Sequence, residues 1–330
     1  MLLYLAGELP IEKLERLAKC VERDAGAANF LFTFAYRGTQ NCARHFCKQA
    51  NHRIFIDSGA YTAWSQGKKK KIELDSYIAF CKDIMGIARC PVVFAALDII
   101  AGTKDNPVRA GSGDWEKACE EGWENFQVMK REGIPCLMTY HQGDHARWLT
   151  RILDESDYLA VAPRKQNATV ADKAAWLKPV FDRAGRSKKI HGLGVASPVL
   201  MKTFPFFSVD TTAWLNGGKA HVWQLCLGER IKSLSARDLA KLVSKTEDSI
   251  RENKELPYEV PGDPKDKSDV RGTYFFMRYA MQAYVELAYF ISLYWENQGV
   301  FWERDDSPLD LARNGYDYET FMELLWGNES

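Results

Sequence analysis

The sequence predicts an α/β fold, a (β/α)8 TIM barrel with a C-terminal helical extension. Eight short apolar runs of β-type residues alternate with stretches of helical periodicity, which is the pattern of parallel strands joined by crossover helices. Eight such units are the number that closes a barrel, and about 250 residues is its usual length. An open doubly wound sheet is the alternative. No G-x-G-x-x-G motif follows the first run, which disfavours a dinucleotide-binding version of that sheet.

Each predicted element is a short segment with its own boundary signal. The predicted strands are residues 2–6, 30–35, 53–56, 92–97, 136–140, 158–162, 190–195 and 206–209. The predicted helices between them are residues 11–24, 39–50, 74–87, 115–131, 146–153 and 170–184. Ser197 followed by Pro198 predicts another helix start, because proline is favoured in the first turn. Ser235-x-x-Asp238 resembles a capping box and predicts a closing helix over 236–252.

The composition changes after residue 252, so we expect three parts. Residues 1–252 form the catalytic barrel, residues 253–272 are a linker or surface loop rich in proline and charge, and residues 273–330 are a helical extension. The apolar stretch 273–295 contains Arg278, Gln282 and Glu286 at helical spacing. Polar residues at that spacing indicate an amphipathic core helix and not a membrane span.

The bulk composition limits the function classes and the compartment. The 330 residues include 44 Lys+Arg and 44 Asp+Glu, so the formal net charge is zero. A neutral chain argues against non-specific polyanion binding, although such a chain can still have a local basic groove. Eight cysteines occur without a C-x-x-C pair, which indicates reduced thiols. The first residues lack the basic start of a signal peptide, so we expect a cytoplasmic protein. We also expect no metal and no cofactor.

Carboxylates stand at the ends of three predicted strands. Asp57, Asp98 and Asp210 end the third, fourth and eighth strands, and the fifth delivers His141 and Gln142. The carboxyl ends of barrel strands meet at one mouth, where active sites of this fold lie. A single aspartate after a strand often only caps a turn or the next helix. Three at equivalent ends favour a shared catalytic site.

Five short motifs occur in the order of the tRNA-guanine transglycosylase family, and the sequence resembles that family over residues 53–214. "DSGAYT" resembles the family's DSGGYQ, "ALDII" its strand ending LDE, "HQGD" its VQGG, "LGVASP" its MGVGKP and "SVDTTA" its GIDMFD. The resemblance is greatest to the viral (phage) and bacterial branch that inserts 7-deazaguanines into DNA. It implies a transferase that exchanges bases on a nucleic acid, without a cofactor.

The resemblance also implies roles for individual residues. Asp210 matches the nucleophile that attacks the sugar C1′, and Asp57 matches the general acid/base. The base-binding residues implied in this way are Asp98, Gln142, Gly143, Ser58, Tyr61 and Leu193. Asp98 and Gln142 match the groups that hydrogen-bond the base, whereas Tyr61 and Leu193 match the pair that sandwiches it.

Elementary chemistry agrees with these implied roles. Base exchange at an anomeric carbon passes through an oxocarbenium-like state that a carboxylate can trap covalently. The leaving guanine needs a proton source. The N1–H and N2–H₂ donors of guanine suit a carboxylate such as Asp98, and its O6 acceptor suits the amide of Gln142. Stacking on an aromatic ring such as Tyr61 contributes roughly 1–3 kcal/mol per base.

Several departures from the family pattern favour DNA over tRNA. The tRNA enzymes carry a C-x-C-x-x-C…His zinc site after the nucleophile, whereas only Cys226 follows Asp210 here. The family's second glycine and its following glutamine are replaced by Ala60 and Thr62. The sequence leaves the accepted 7-deazaguanine, the sequence context of the modified base and the oligomeric state open.

Basic residues on three predicted loops could follow a phosphate backbone. They are Lys68, Lys69, Lys70, Lys71, Arg164, Lys165 and Lys219. A charge run is often only a solvated face, but three basic loops at one rim favour phosphate contacts. We expect Trp64 and Trp214 to pack in the core, and His141 to support the site and not to bind a metal.

Three alternative functions stay open at this point. The same exchange could act on tRNA, or Asp57 and Asp210 could serve a TIM-barrel nucleoside or glycoside hydrolase. A catalytically inactive nucleic-acid-binding barrel is the third alternative. The preferred hypothesis has DNA and a preQ0-type small molecule as partners and no membrane. It places the protein in the cytoplasm, which would be the host's if the protein is viral.

Overall fold

The computed structural model describes residues 1–66, 72–103, 107–164, 168–220, 222–234 and 270–302, with side chains from residue 276 onward in the last range. The described chain divides into two compact units. The first contains residues 1–14, 29–211 and 292–302, and the second contains the described residues of 15–28 and 212–291.

Parallel strands in the first unit form the barrel. They are β1 (Leu2–Ala6), β2 (Asn29–Thr33), β3 (Ile54–Asp57), β4 (Val92–Ala95), β5 (Cys136–Leu137), β6 (Thr139–His141), β7 (Tyr158–Ala162), β8 (Lys189–Gly192) and β9 (Ser208–Thr211). Their order in the sheet is β5-β4-β3-β2-β1-β9-β8-β7-β6.

The sheet closes because its two end strands are halves of one extended segment. Only Met138 separates β5 from β6. Ala96 N donates to Leu137 O at 2.8 Å on one side, and Ala160 N donates to Met138 O at 2.9 Å on the other. The nine-strand order is therefore an eight-unit barrel, which confirms the predicted (β/α)8 fold.

Helices follow most of the strands, as the alternating pattern predicts. They are α1 (Ile11–Ala25), α2 (Arg37–Phe46), α3 (Ala60–Gln66), α4 (Leu74–Ile87), α5 (Gly113–Arg131), α6 (Ala146–Glu155), α7 (Val170–Ala184) and α8 (Pro198–Thr203). Ser197 occupies the N-cap position of α8, although its side chain makes no capping hydrogen bond. The predicted closing helix and the capping box at Ser235 lie outside the described residues.

Alternate residues of the strands fill the barrel interior. The buried members of this core are Leu2, Tyr4, Ala6, Leu31, Phe55, Ala95, Leu137, Ala160 and Phe207. Side chains two apart on a strand share a face, so Asp57 points the same way as Phe55 and lies one step nearer the carboxyl end. Polar groups thus begin where the apolar core stops.

Gly192 ends β8 at a position where the packing excludes a larger residue. A Cβ there would lie 2.1 Å from Val195 Cγ2 and 2.8 Å from Phe206 Cε1. We expect Gly192→Ala to lower the free energy of unfolding by about 1–3 kcal/mol, because overpacking forces neighbours to shift. Urea denaturation measures this loss.

The matched control is Gly86→Ala on the exposed side of α4, where an added Cβ meets no described heavy atom within 4 Å. Its stability should stay equal or rise slightly, since alanine is the better helix former. Equal stability of both variants would contradict the packing argument.

The second unit contains elements that the sequence pattern did not predict. They are α9 (Leu215–Ala220) and an antiparallel hairpin of β10 (Trp223–Cys226) and β11 (Ile231–Leu234). The second unit also contains most of α10 (Val270–Asn297), a helix that the sequence did predict. Trp223 and Leu234 of the hairpin pack with Phe276 and Tyr279 of α10 in a small apolar cluster. The helix in the predicted extension is thereby present, while residues 303–330 and most of the predicted linker lie outside the described residues.

The polar residues of α10 have partners within its unit, as an amphipathic helix requires. Arg278 pairs with Asp24, and Gln282 Nε2 donates to Glu286 Oε1 at 2.8 Å. Burial raises the pKa of Glu286 to about 7. Along the described part of the chain, none of the helices combines the length and apolar character needed to cross a membrane.

Candidate active site

Two of the predicted strand-end aspartates lie close enough to the third, Asp57, for their charges to raise its pKa. Asp57 ends β3, Asp210 belongs to β9, and Asp98 follows β4. Burial raises the pKa of Asp57 to about 6, and the charges of Asp98 and Asp210 act in the same direction. The barrel therefore brings these carboxylates together at the carboxyl end of its strands.

Asp57 is half-buried and is held by its own loop. Gly59 N donates to Asp57 Oδ2 at 3.1 Å, and Gly59 adopts φ +85°, a left-handed conformation that glycine permits. The side chain of Thr33, opposite Asp57 in the β2–β3 register, also hydrogen-bonds it. Asp57 therefore caps the following turn, as the simpler interpretation of the sequence expected, while the charges of Asp98 and Asp210 also act on it.

Asp98 is buried between groups from two other strands. Ser58 Oγ donates to Asp98 Oδ1 at 3.2 Å, and His141 Nε2 lies 2.8 Å from Asp98 Oδ2. Ser58 follows β3 and His141 ends β6. These contacts connect strand ends, so Asp98 does more than cap the turn after β4.

His141 lies between Asp98 and a further carboxylate, Asp144. The backbone N of His141 donates to Asp144 Oδ2 at 2.7 Å, and Trp115 Nε1 donates to Asp144 Oδ1 at 2.8 Å. Burial lowers the pKa of His141, but the hydrogen bonds and charges of Asp144 and Asp98 outweigh it and raise the pKa to about 10. His141 is therefore a cation at neutral pH.

Asp210 is tied to the loop that follows β8. Gly194 N donates to Asp210 Oδ1 at 2.8 Å, in a turn where Gly194 has φ +62°. His191 Nε2 lies 3.5 Å from the same oxygen. The ring of His191 is fully buried and stacks on Phe55 at 4.2 Å between centroids. One oxygen of Asp210 is thus held by the protein.

A buried hydroxyl network orients His191. Ser208 Oγ lies 2.6 Å from both Tyr158 OH and His191 Nδ1. Burial raises the pKa of Tyr158 well above its usual value, so Tyr158 remains protonated and can donate to Ser208. The ring of His191 is thereby held with Nδ1 toward Ser208 and with Nε2 3.5 Å from Asp210 Oδ1. The sequence analysis did not identify His191; its only signal was a histidine within an apolar strand.

Among the base-binding candidates, Gln142 and Gly143 follow β6 beside His141. Gln142 Oε1 accepts from Arg164 N at 3.2 Å. This bond engages the amide oxygen, so the amide nitrogen is the end that can donate to a base. Gly143 has φ +114°, and a Cβ there would lie 3.0 Å from Ala110 Cβ.

The predicted sandwich pair stands on two separate segments. Tyr61, on the first turn of α3, is 45% exposed, and its ring centroid lies 5.6 Å from that of Trp64. Leu193, just after β8, is half-buried and packs against the interior core. The described contacts do not join Tyr61 to Leu193, so their pairing across a base stays a prediction.

The predicted phosphate contacts are only partly described. Lys68, Lys69, Lys70, Lys71 and Lys165 lie outside the described residues. Arg164 is exposed, donates through Nη2 to Val108 O at 3.0 Å and lies 5.0 Å from the centroid of the Trp115 ring. Lys219 is exposed on α9 in the second unit. A common basic rim stays a prediction.

The remaining candidates concern packing and metals. Trp214 is buried, as expected for a packing residue, and half-buried Trp64 donates through Nε1 to Ala101 O at 3.3 Å. All eight cysteines are free thiols. Within the described ranges, no three His, Cys, Asp or Glu side chains form a group that could hold a metal ion.

The fold and site together define a (β/α)8 barrel with an aspartate cluster at the carboxyl ends of its strands. No protein-family model and no curated protein sequence matches the chain.

Proposed function

We propose that this barrel is a transglycosylase, a pentosyltransferase that replaces guanine in DNA with a 7-deazaguanine of the preQ0 type. A covalent bond between Asp210 and the sugar links the two half-reactions. The observation that carries the proposal is the convergence of Asp57, Asp98 and Asp210 in three different environments. Carboxylates with separate environments can take separate roles.

Asp210 supplies the nucleophile. Its Oδ1 already accepts the Gly194 N–H, so Oδ2 is the oxygen that attacks C1′. The C1′–N9 bond breaks as the new C–O bond forms, and guanine leaves with the electron pair. The oxocarbenium-like state between these events is the state that a carboxylate traps in retaining glycosidases.

Asp57 supplies and recovers the proton. Its pKa of about 6 lies near neutrality, where one group can both donate and accept. In the first half-reaction Asp57 protonates the departing guanine. In the second it accepts the N9 proton of the incoming 7-deazaguanine, whose N9 then attacks C1′ and displaces Asp210.

Asp98 and Gln142 recognise the base. An ionised carboxylate accepts from both N1–H and N2–H₂ of guanine, and the amide nitrogen of Gln142 donates to O6. A 7-deazaguanine presents the same edge, so one pocket serves the outgoing and the incoming base. The missing zinc motif after Asp210 supports DNA as the polymer.

The direct test is uptake of labelled guanine or labelled preQ0 into separate DNA and tRNA substrates. We expect label in DNA and not in tRNA. Label in tRNA alone would refute the proposed polymer. Release of free guanine without uptake of label would instead favour a nucleoside hydrolase that uses the same Asp57 and Asp210.

The pH dependence should report the ionisation of Asp57. Attack on C1′ needs protonated Asp57, so kcat/KM for formation of the covalent intermediate should fall about tenfold per pH unit above the Asp57 pKa of about 6. Single-turnover rates measured across this range test the expectation. The Asp57→Asn variant should be slow and should lack this limb; an unchanged limb in the variant would assign the titration to another group.

A further inference from the structure

Asp98, the residue proposed to read the base, is one member of a nearly buried row of three charged side chains. His141 Nε2 is 2.8 Å from Asp98 Oδ2, and His141 Nδ1 is 3.6 Å from Asp144 Oδ2. The exposed fractions of the three side chains are 10% for Asp98, 17% for His141 and 5% for Asp144. An imidazole with a carboxylate at each nitrogen is stabilised as a cation.

Asp144 is fixed more firmly than a free loop carboxylate. It accepts from the backbone N of His141 at 2.7 Å, from Trp115 Nε1 at 2.8 Å and from Cys119 Sγ at 3.4 Å. The left-handed backbone of Gly143, with φ +114°, forms the turn that brings Asp144 back to His141. Donors from α5 and from the backbone of His141 thus hold Asp144 from two sides and fix its Oδ2 at 3.6 Å from His141 Nδ1.

We propose that His141 is a positioning residue: held by Asp144, it orients the Asp98 carboxylate as an acceptor for the donor edge of a guanine-type base. The identity of that base rests on the proposed function, whereas the His141–Asp144 arrangement does not. The N1–H and N2–H₂ edge of guanine needs acceptor oxygens that face it, so discrimination for guanine depends on how the Asp98 carboxylate is oriented.

The groups around His141 determine when it titrates. Asp98 and Asp144 face its two nitrogens, Cys119 faces Asp144 from α5, and Asp57 acts on the Asp98 side. Burial raises the pKa of Cys119 far above neutrality, so it adds no charge. With a pKa of about 10, His141 stays charged throughout the range in which Asp57 titrates.

The first measurement is independent of activity. Imidazole ¹⁵N shifts of the histidine-labelled full chain, with His141 assigned by the loss of its signal in His141→Gln, should show an imidazolium that persists well above neutral pH. In Asp144→Asn the same resonance should titrate at lower pH. A wild-type His141 that titrates near the ordinary value of about 6.5 would overturn the inference.

The second measurement is the ratio of kcat/KM for guanine to that for hypoxanthine, which lacks the N2 amino group. Titration of Asp57 affects both bases equally and cancels in the ratio. In His141→Gln and in Asp144→Asn the ratio should fall roughly tenfold below the wild-type ratio, because a carboxylate that is no longer held in place loses its charge-assisted hydrogen bond to N2–H₂, and such bonds are about twice as strong as neutral ones.

The control is His145→Gln, an exposed histidine on the same loop, which should keep the wild-type ratio. A His141→Gln ratio equal to wild type would overturn the positioning role. A wild-type protein without any exchange would refute the proposed function instead, and the imidazole resonance alone would then decide whether Asp144 holds His141 as a cation.

Discussion

Asp210→Asn should abolish base exchange and covalent capture of DNA while DNA binding persists. We expect single-turnover exchange to fall at least about 10⁴-fold, the scale seen when a catalytic nucleophile or its partner is removed. The substitution is chosen because asparagine keeps an oxygen that can accept the Gly194 N–H, which Asp210 Oδ1 accepts at 2.8 Å. Loss of activity would therefore reflect loss of the nucleophile and not collapse of the loop.

Capture is measured by incubating DNA with the enzyme without an acceptor base and denaturing the mixture before electrophoresis. The matched control is Asp182→Asn on α7, whose carboxylate is 62% exposed and pairs with Lys178 at 2.7 Å. It should behave like the wild type. If Asp210 served only to tie the Gly194 turn, Asp210→Asn would retain exchange, and near-normal exchange in this variant would remove Asp210 from the chemistry.

The strand ends of the barrel were accessible to sequence analysis because their signals are local. Each predicted strand is a short apolar run. The count of eight units predicts a closed barrel, and the hydrogen bonds on both sides of Met138 complete that barrel. Helices α4 and α7 have the bounds that their periodicity predicts. Helix α3 has only seven residues, too few for a helical period to emerge, and the β10–β11 hairpin follows the eighth unit, where the sequence analysis assigned no strand.

The support of the carboxylates was less accessible, because it depends on contacts between distant segments. His191 is a lone histidine in an apolar strand, and only the packed barrel places its Nε2 3.5 Å from Asp210 Oδ1. Asp144 was visible as part of "HQGD", but its bond to Trp115 spans 29 residues. The sequence could therefore predict Asp57, Asp98, Asp210 and His141 at the strand ends, whereas the contact of His191 with Asp210 required the packed fold.

The Asp98→Asn variant tests whether Asp98 recognises the base. We expect kcat/KM for guanine to fall roughly 10- to 100-fold, because a hydrogen bond to a charged acceptor is worth about 1.5–3 kcal/mol and an amide NH₂ would confront a donor on the base. Hypoxanthine lacks N2–H₂ and should be penalised less. The fold should tolerate the change, because the amide oxygen can accept from His141 Nε2 and the amide nitrogen can donate to Ser58 Oγ, the two groups that Asp98 contacts.

The competing interpretation is that Asp98 only joins the ends of three strands through Ser58 and His141. It predicts an early thermal transition and an equal loss of exchange for both bases, since a disordered site cannot distinguish them. Measuring Tm and the guanine-to-hypoxanthine ratio on one preparation separates the two interpretations, with Asp182→Asn as the control for removal of a carboxylate. A variant that melts early but keeps its guanine preference would exclude Asp98 from base recognition, because a lost acceptor cannot leave the preference for two donors intact.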